Sequence, residues 1–299
     1  MTSRSRVVLI LLSGLLTHCA TTMSREELAQ ANTACSAAAN GPVREKADQQ
    51  CALAVTLAET SAPGSPEYIT SLQNLVNLHL ARGDLAGSLE PQLRLIAAQR
   101  AALGSRHPDL ARSLADLGGT YSAQGKYALA EPYLAEALEI HRQAPGVPDA
   151  RILQSLRGLE TAYMMQQKWA KAEEAIYPSM VALHEKTEGP NGLGLANTLM
   201  KRSFALNMLE QFAPAQAAVE RALKIRQDAL GLEHPDTQDA LLGLVMSQAA
   251  RGQLEGAAST LTQLVAAAEK SRGKDDAKTV QWREALAILN GKIPAKAAR

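Results

Sequence analysis

Apolar residues recur every three or four positions through most of this chain, in runs of about 16 residues separated by short polar turns. Leu114, Leu117, Gly118 and Tyr121 share one helical face, and Tyr127, Ala130, Leu134 and Ala137 share another just beyond a Gln124-Gly125-Lys126 turn. The phrase His107-Pro108-Asp109 returns as His234-Pro235-Asp236, 127 residues later, and Pro66, Pro108, Pro148, Pro190 and Pro235 follow one another at spacings of 42, 40, 42 and 45. A period of this size marks stacked supersecondary units. Proline suits the first helical turn, where its missing N–H would be unpaired anyway, and Glu67, Asp109, Asp149 and Asp236 then place negative charge at the positive end of the helix dipole. The five prolines are therefore read as helix starts. About 16 residues after each comes a turn signal: Arg82-Gly83-Asp84, Gln124-Gly125-Lys126, Gln166-Gln167-Lys168, Glu210-Gln211 and Arg251-Gly252-Gln253. Each unit is predicted as a helix, a tight turn and a second helix.

Five such units occupy residues 65–272. Before them, Ser24-Arg25-Glu26-Glu27 is a capping box that opens a helix, Asn40-Gly41-Pro42 breaks it, and Val43 to Glu59 reads as its partner, so residues 20–64 form a degenerate hairpin. After them, Asp275-Asp276 starts a helix that runs through Trp282 and Leu289 and stops at Asn290-Gly291, with Pro294 beyond. Residues 273–291 thus cap the last apolar face, as an array of stacked hairpins requires. The tail 292–299 is expected to be disordered.

Composition strengthens this picture. The apolar 46% is dominated by Ala and Leu, both strong helix formers, which points to an all-α protein. Lys and Arg total 31 against 30 Asp and Glu, so no broad positive field is present to attract nucleic acid. Aromatic residues are 3% of the chain, too few for base-stacking platforms.

Leu114, Leu117, Gly118, Tyr121, Gly125, Tyr127, Ala130, Leu134 and Ala137 resemble the tetratricopeptide repeat (TPR) pattern, and the long second helix with its His-Pro-Asp start is similar to the kinesin-light-chain type. The resemblance spans residues 65–272 and implies a right-handed α-solenoid of antiparallel hairpins, with a peptide site on its concave surface. Val76, Glu160, Ser203 and Val245 stand where Gly118 stands in the second unit. Small residues such as Gly118 and Ala130 let paired helices approach closely.

Residues 1–19 carry Arg4 and Arg6, then an apolar run from Val7 to Leu16, then Cys19. That is the layout of a secretory signal, and the run is too short for a transmembrane helix of about 20 residues. Leu16-Thr17-His18-Cys19 resembles the lipobox of bacterial lipoproteins, with His18 departing from the small residue usual before the cysteine; ordinary signal cleavage and an uncleaved anchor are the alternatives. All three place the remainder outside the cytoplasm, in the bacterial envelope, and lipidation of Cys19 implies a periplasmic protein anchored to the outer membrane. Cys35 and Cys51 each lie eight residues from Val43, and superposition on the second unit sets them at the facing places of Gly118 and Leu134. A disulfide between them is expected in an oxidising compartment.

Catalytic and metal motifs are not evident: no His-Glu-x-x-His, Cys-x-x-Cys, phosphate loop, dinucleotide fingerprint or Gly-x-Ser-x-Gly elbow occurs. The chain is read as a non-enzyme needing no cofactor and no metal. His107 and His234 serve the repeated helix start, while Trp169 and Trp282 are read as packing residues. The candidate site is a stripe on the first helices comprising Asn74, Asn77, Arg112, Gln154, Arg157, Met164, Met165, Asn197, Met200, Lys201, Phe204, Asn207 and Met208. Methionines there would repack around apolar side chains while amides bond an extended peptide. The alternative is that they plug gaps beneath a solvated face. The functional expectation is an envelope scaffold binding a protein segment, with an accessory factor for polysaccharide export or peptidoglycan enzymes as the second reading. A sugar site would call for exposed Trp and Tyr platforms, which this stripe lacks.

Overall fold

The computed structural model describes residues 25–39, 44–61 and 63–293, which form fourteen α-helices and no strand. The lipobox, the Ser24 cap, the Asn40-Gly41-Pro42 break and nearly all of the tail 292–299 lie outside the described residues. Two compact units divide at Ala102 and Leu103.

The first unit holds α1 (Arg25–Ala39), α2 (Arg44–Ser61), α3 (Pro66–Ala81) and α4 (Leu89–Leu103), the last of which crosses the division by one residue. Helix α1 packs on α2, and both pack on α3. Leu28, Val55, Leu72, Val76 and Leu95 fill one core. Beside it Cys35 and Cys51, both fully buried, are joined by a disulfide whose Cα atoms are 4.5 Å apart. Ala47, Ala54 and Leu78 surround the bond.

The second unit is a run of hairpins: α5 (Pro108–Ala123) with α6 (Tyr127–Gln143), α7 (Asp149–Met165) with α8 (Trp169–Ala175) and α9 (Tyr177–Glu188), α10 (Leu193–Met208) with α11 (Phe212–Leu230), and α12 (Pro235–Ala250) with α13 (Leu254–Arg272). Helix α14 (Ala277–Lys292) packs on α13 and buries Trp282 beside Leu264 and Ala268. Each hairpin packs against the next. Gly118 shows why a small residue suits the pairing, since a Cβ there would meet the Leu134 side chain at 2.5 Å.

The helix starts carry a chemistry that reading the prolines and acids leaves out. Pro66, Pro108 and Pro235 open α3, α5 and α12, and the Nδ1 atoms of His107 and His234 accept hydrogen bonds from the N–H groups of Asp109 and Asp236. Histidine is thus the N-cap, although it is not among the residues usually preferred there. Pro190 departs from the expectation: α10 starts at Leu193, after Gly189 takes a left-handed φ of 81° and the Glu188 carboxylate accepts from Gly194 N–H. A second departure is the break between α8 and α9 at Ile176, just before Pro178, where one continuous second helix was expected. Proline lacks the N–H that would bond four residues back, and its ring crowds that carbonyl.

The tight turns share one backbone solution. Gly83, Gly125 and Gly252 sit at φ 72°, 73° and 70°, and Gln167 and Glu210 are forced into the same left-handed region at 56° and 59°. There a side chain is strained, so these two turns carry a local cost that glycine avoids.

Candidate functional site

On the first helices of the second unit, the repeat turns several apolar side chains to solvent. Phe204 is 50% exposed, Met208 49%, Met165 58% and Met246 62%. Phe204 and Met208 are one helical turn apart on α10, and Met246 occupies on α12 the place that Phe204 takes on α10. The two helices are neighbours, and the Asn207 amide on α10 donates to Ser247 Oγ on α12 at 3.3 Å. Against Phe204 packs Trp169, with ring centroids 5.6 Å apart and planes at 81°, an edge-to-face pair. Trp169 is half-buried on the core of the preceding hairpin, so that hairpin braces Phe204.

Not every methionine of the stripe faces solvent. Met164 accepts a hydrogen bond at its Sδ from the Tyr177 hydroxyl at 3.3 Å, and Met200 packs on the core formed by Leu195, Leu199 and Ile225. For these two the gap-filling reading describes their position better than the groove reading does. Arg202 stands in register with Leu117 of the second repeat, and its guanidinium grips both carboxylate oxygens of Glu173 with bonds of 3.0 Å from Nε. This hydrogen bonding raises the Arg202 pKa against the opposing effect of burial.

A cleft of about 430 Å³ opens where the third and fourth hairpins meet, and Arg157, Asn197, Met200 and Lys201 of the expected stripe all line it. Lys201 Nζ bonds the Glu160 carboxylate at 2.7 Å; the lysine side chain is 53% exposed, the glutamate 1%. Glu160, set where Gly118 sits in its own unit, is a buried charge with a solvent-facing partner. Close by, burial and the Glu160 charge push the Tyr177 hydroxyl far above its usual range, so it stays protonated. Arg226 from α11 completes the lining and donates to Asn197 Oδ1 at 2.8 Å.

Other members of the stripe lie elsewhere. Gln154 is exposed on α7, and Arg112 pairs with Asp109 at 3.0 Å at the start of α5. Asn74 and Asn77 belong to the first unit, where Asn74 donates to Asn32 Oδ1 at 3.3 Å and Asn77 accepts from Gln73. His141 and His184 are buried, bonded through Nδ1 to Ser155 Oγ and Glu188 Oε1 respectively. Burial, reinforced by the Arg151 charge, lowers the His141 pKa and keeps the ring neutral. Among the described residues no group of three or more His, Cys, Asp or Glu side chains is arranged to hold a metal ion, and no helix is long and apolar enough to cross a membrane. Sequence reading missed Glu160 and Arg226 as site residues, and it read Trp169 as core without seeing its contact with Phe204. A signal existed for Arg226, because it falls in register with the buried His141 and His184.

Helix hairpins repeating at about 42 residues, packed on one another within each unit, define an α-solenoid repeat protein. The chain belongs to the tetratricopeptide repeat family: profiles of that family match residues 68–143, 116–177 and 195–236, together just over half of the sequence. Tetratricopeptide repeats are typically non-catalytic protein-interaction units. None of the curated proteins matches the chain in sequence. Among solved structures, the apo form of RapI is similar with a TM-score of 0.60 and 12% identity, over 96% of this chain and 74% of that one. A variant of the nearly identical TPR-like repeats of a kinesin light chain from Podosopora anserina has a TM-score of 0.54 and 23% identity, over 68% of this chain and 96% of that one. BtubC from P. vanneervenii has a TM-score of 0.52 and 17% identity, over 92% of this chain and 95% of that one. At these identities the likeness concerns the fold.

Proposed function

We propose that this chain is a non-catalytic scaffold of the bacterial envelope that holds an extended protein segment on the exposed face of its first helices. The observation that carries the reading is the solvent-facing set Phe204, Met208 and Met246 on the neighbouring helices α10 and α12, with Phe204 braced edge-on by Trp169. Large apolar side chains clustered on one face are characteristic of interaction surfaces, and methionine adapts to varied partners. A carbohydrate partner is less well served, because Trp169 is engaged edge-to-face with Phe204 and Trp282 is 8% exposed.

Phe204→Ala with Met208→Ala tests the site. Both side chains are about half exposed, so the melting temperature should hold within a degree or two. Capture of the wild-type partner from membrane fractions, followed by titration with the purified segment, should show binding weakened by about 1 kcal/mol or more. A melting temperature lowered by several degrees with affinity intact would reassign Phe204 to the core.

The envelope location rests on the apolar run from Val7 to Leu16 and on Cys19. An acylated chain beginning at Cys19 is the expected result of mass spectrometry on the mature protein. A start at Ala20 or later, without acyl groups, would leave a soluble periplasmic protein instead.

A further inference from the structure

One place in the second helices is polar and buried in four successive units. It is Gln99, His141, His184 and Arg226, followed by Ala268, at spacings of 42, 43, 42 and 42. The first three are side chains that can be neutral, and burying them is met by hydrogen bonds such as His141 to Ser155. Arg226 is different, because a guanidinium cannot shed its charge. It is 8% exposed; its two terminal nitrogens donate to the Asp236 carbonyl and to Asn197 Oδ1, its Nε has no acceptor, and it makes no ion pair among the described residues. Burial pushes its pKa down, and the charges of Asp236 and Asp239 oppose it by less. A buried cation with no carboxylate in direct contact among the described residues is an unusual thing for a fold to keep.

Arg226 lines the cleft between the third and fourth hairpins, together with Arg157, Lys201, Asn197, Met180 and Met200. Lys201 is already matched by Glu160. Arg157 is exposed and makes no ion pair among the described residues, so two guanidinium charges face the cleft beyond that matched pair. The N-terminal turn of α10 also borders it, but Glu188 caps that turn through Gly194 N–H, so the cationic side chains carry the site. A single carboxylate is planar, is satisfied by one guanidinium fork and neutralises one charge. A phosphate is tetrahedral, carries close to two charges near neutral pH and can accept from both arginines at once.

We propose that this cleft is a phosphate site, taking inorganic phosphate or a small phosphate monoester between Arg157 and Arg226. The ion accepts from the guanidinium N–H groups that Asn197 and Asp236 leave unused, and Met180 and Met200 offer an apolar wall to the carbon part of an ester. The inference goes beyond the protein-segment reading and does not depend on it, since Phe204 and Met208 do not line the cleft.

The test is thermal melting of the protein at constant ionic strength, with sodium chloride exchanged for sodium phosphate, glycerol phosphate or sodium acetate. Phosphate and glycerol phosphate should raise the melting temperature saturably, and acetate should not. A stronger response to glycerol phosphate assigns the site to monoesters, and an equal or weaker one assigns it to the free ion. Arg157→Gln, at an exposed position, should keep the unliganded melting temperature and weaken the apparent affinity at least tenfold. Arg226→Gln should abolish the response whatever it does to the unliganded protein. Phosphate stabilises many proteins by exclusion from their surfaces. A rise that is linear in phosphate, that acetate reproduces, or that survives in both variants would therefore overturn the proposal, as would no rise at all. Phe204→Ala should leave the phosphate response unchanged, which separates failure here from failure of the segment-binding reading.

Discussion

Loss of the Cys35–Cys51 bond lowers stability by about 3 kcal/mol, the loop-closure value for a loop of about 15 residues. The two cysteines are 16 residues apart in sequence, so the unfolded hairpin gains much of its freedom when the link is cut. The effect should be confined to the first unit. There α1 and α2 bury Cys35, Ala47, Cys51 and Ala54 against Leu78, a core of mostly small side chains with little apolar area to compensate. Because both sulfurs are fully buried, added reductant acts only after the hairpin opens, and Cys35→Ala with Cys51→Ala is the cleaner comparison. Denaturant unfolding followed by hydrogen exchange should show earlier opening of residues 25–61 and little change at Leu241 or Leu264 in the second unit. Exchange rates that stay equal in the two proteins would mean that the helices hold without the link.

Replacing Glu131 should cost about 2 kcal/mol at neutral pH, and the cost should fade in acid. Burial alone would raise the Glu131 carboxyl, but hydrogen bonds from Lys168, Lys171 and Gln166 outweigh it and hold the pKa at about 2. The bonds from Lys171 and Gln166 are 2.9 and 3.1 Å, and together the three residues tie α6 to α8 and to the turn before it. A depressed pKa contributes stability that is fully present above the unfolded value of 4.5 and is lost as pH falls towards 2. The shift would correspond to about 3 kcal/mol; about 2 is the better expectation because the lysine side chains are 37% and 54% exposed and water screens them. Urea unfolding of wild type and Glu131→Gln at pH 7, 5 and 3 tests this. The gap between the two should be full at pH 7, nearly full at pH 5 and cut to about half or less at pH 3, whereas a gap independent of pH would show that the contribution of Glu131 is packing rather than charge.

The organisation of the chain was legible because helix hairpins leave a local record. Proline, acid and glycine recur at the turns for reasons that need only the residues around them, and the Cys35–Cys51 register needs only a symmetric hairpin. What escaped reading depends on the meeting of segments distant in sequence. Phe204 looked like one member of an apolar face, but its position is set by Trp169 in the hairpin before. Met200 and Met208 lie eight residues apart on one helix, yet the end of Met200 lies beside Gly243 of the next hairpin while Met208 is 49% exposed. Glu160 read as a poor substitute for glycine, since nothing near it in sequence announces Lys201, 41 residues on. The break at Pro178 was legible in principle from the proline alone, and the period of the repeat argued against it. The histidine caps show the opposite failure: the residues are local, but their capping role lies outside the usual preferences.

The buried polar place that runs through Gln99, His141, His184 and Arg226 has a consequence for assembly. Hairpins of near-equal length and similar apolar seams can be exchanged or stacked out of order while the chain folds, a hazard of repetitive sequences. Here the seams are not interchangeable. His141 meets a serine hydroxyl of the next hairpin, His184 is engaged by Glu188 at its own helix end, and Arg226 reaches a backbone carbonyl in the first turn of α12. A hairpin shifted by one unit would set an arginine against a hydroxyl or a histidine against a helix end shaped for a cation, leaving buried polar groups unmatched. Leucine and alanine make the hairpins stick; the polar residue among them is engaged differently in successive hairpins.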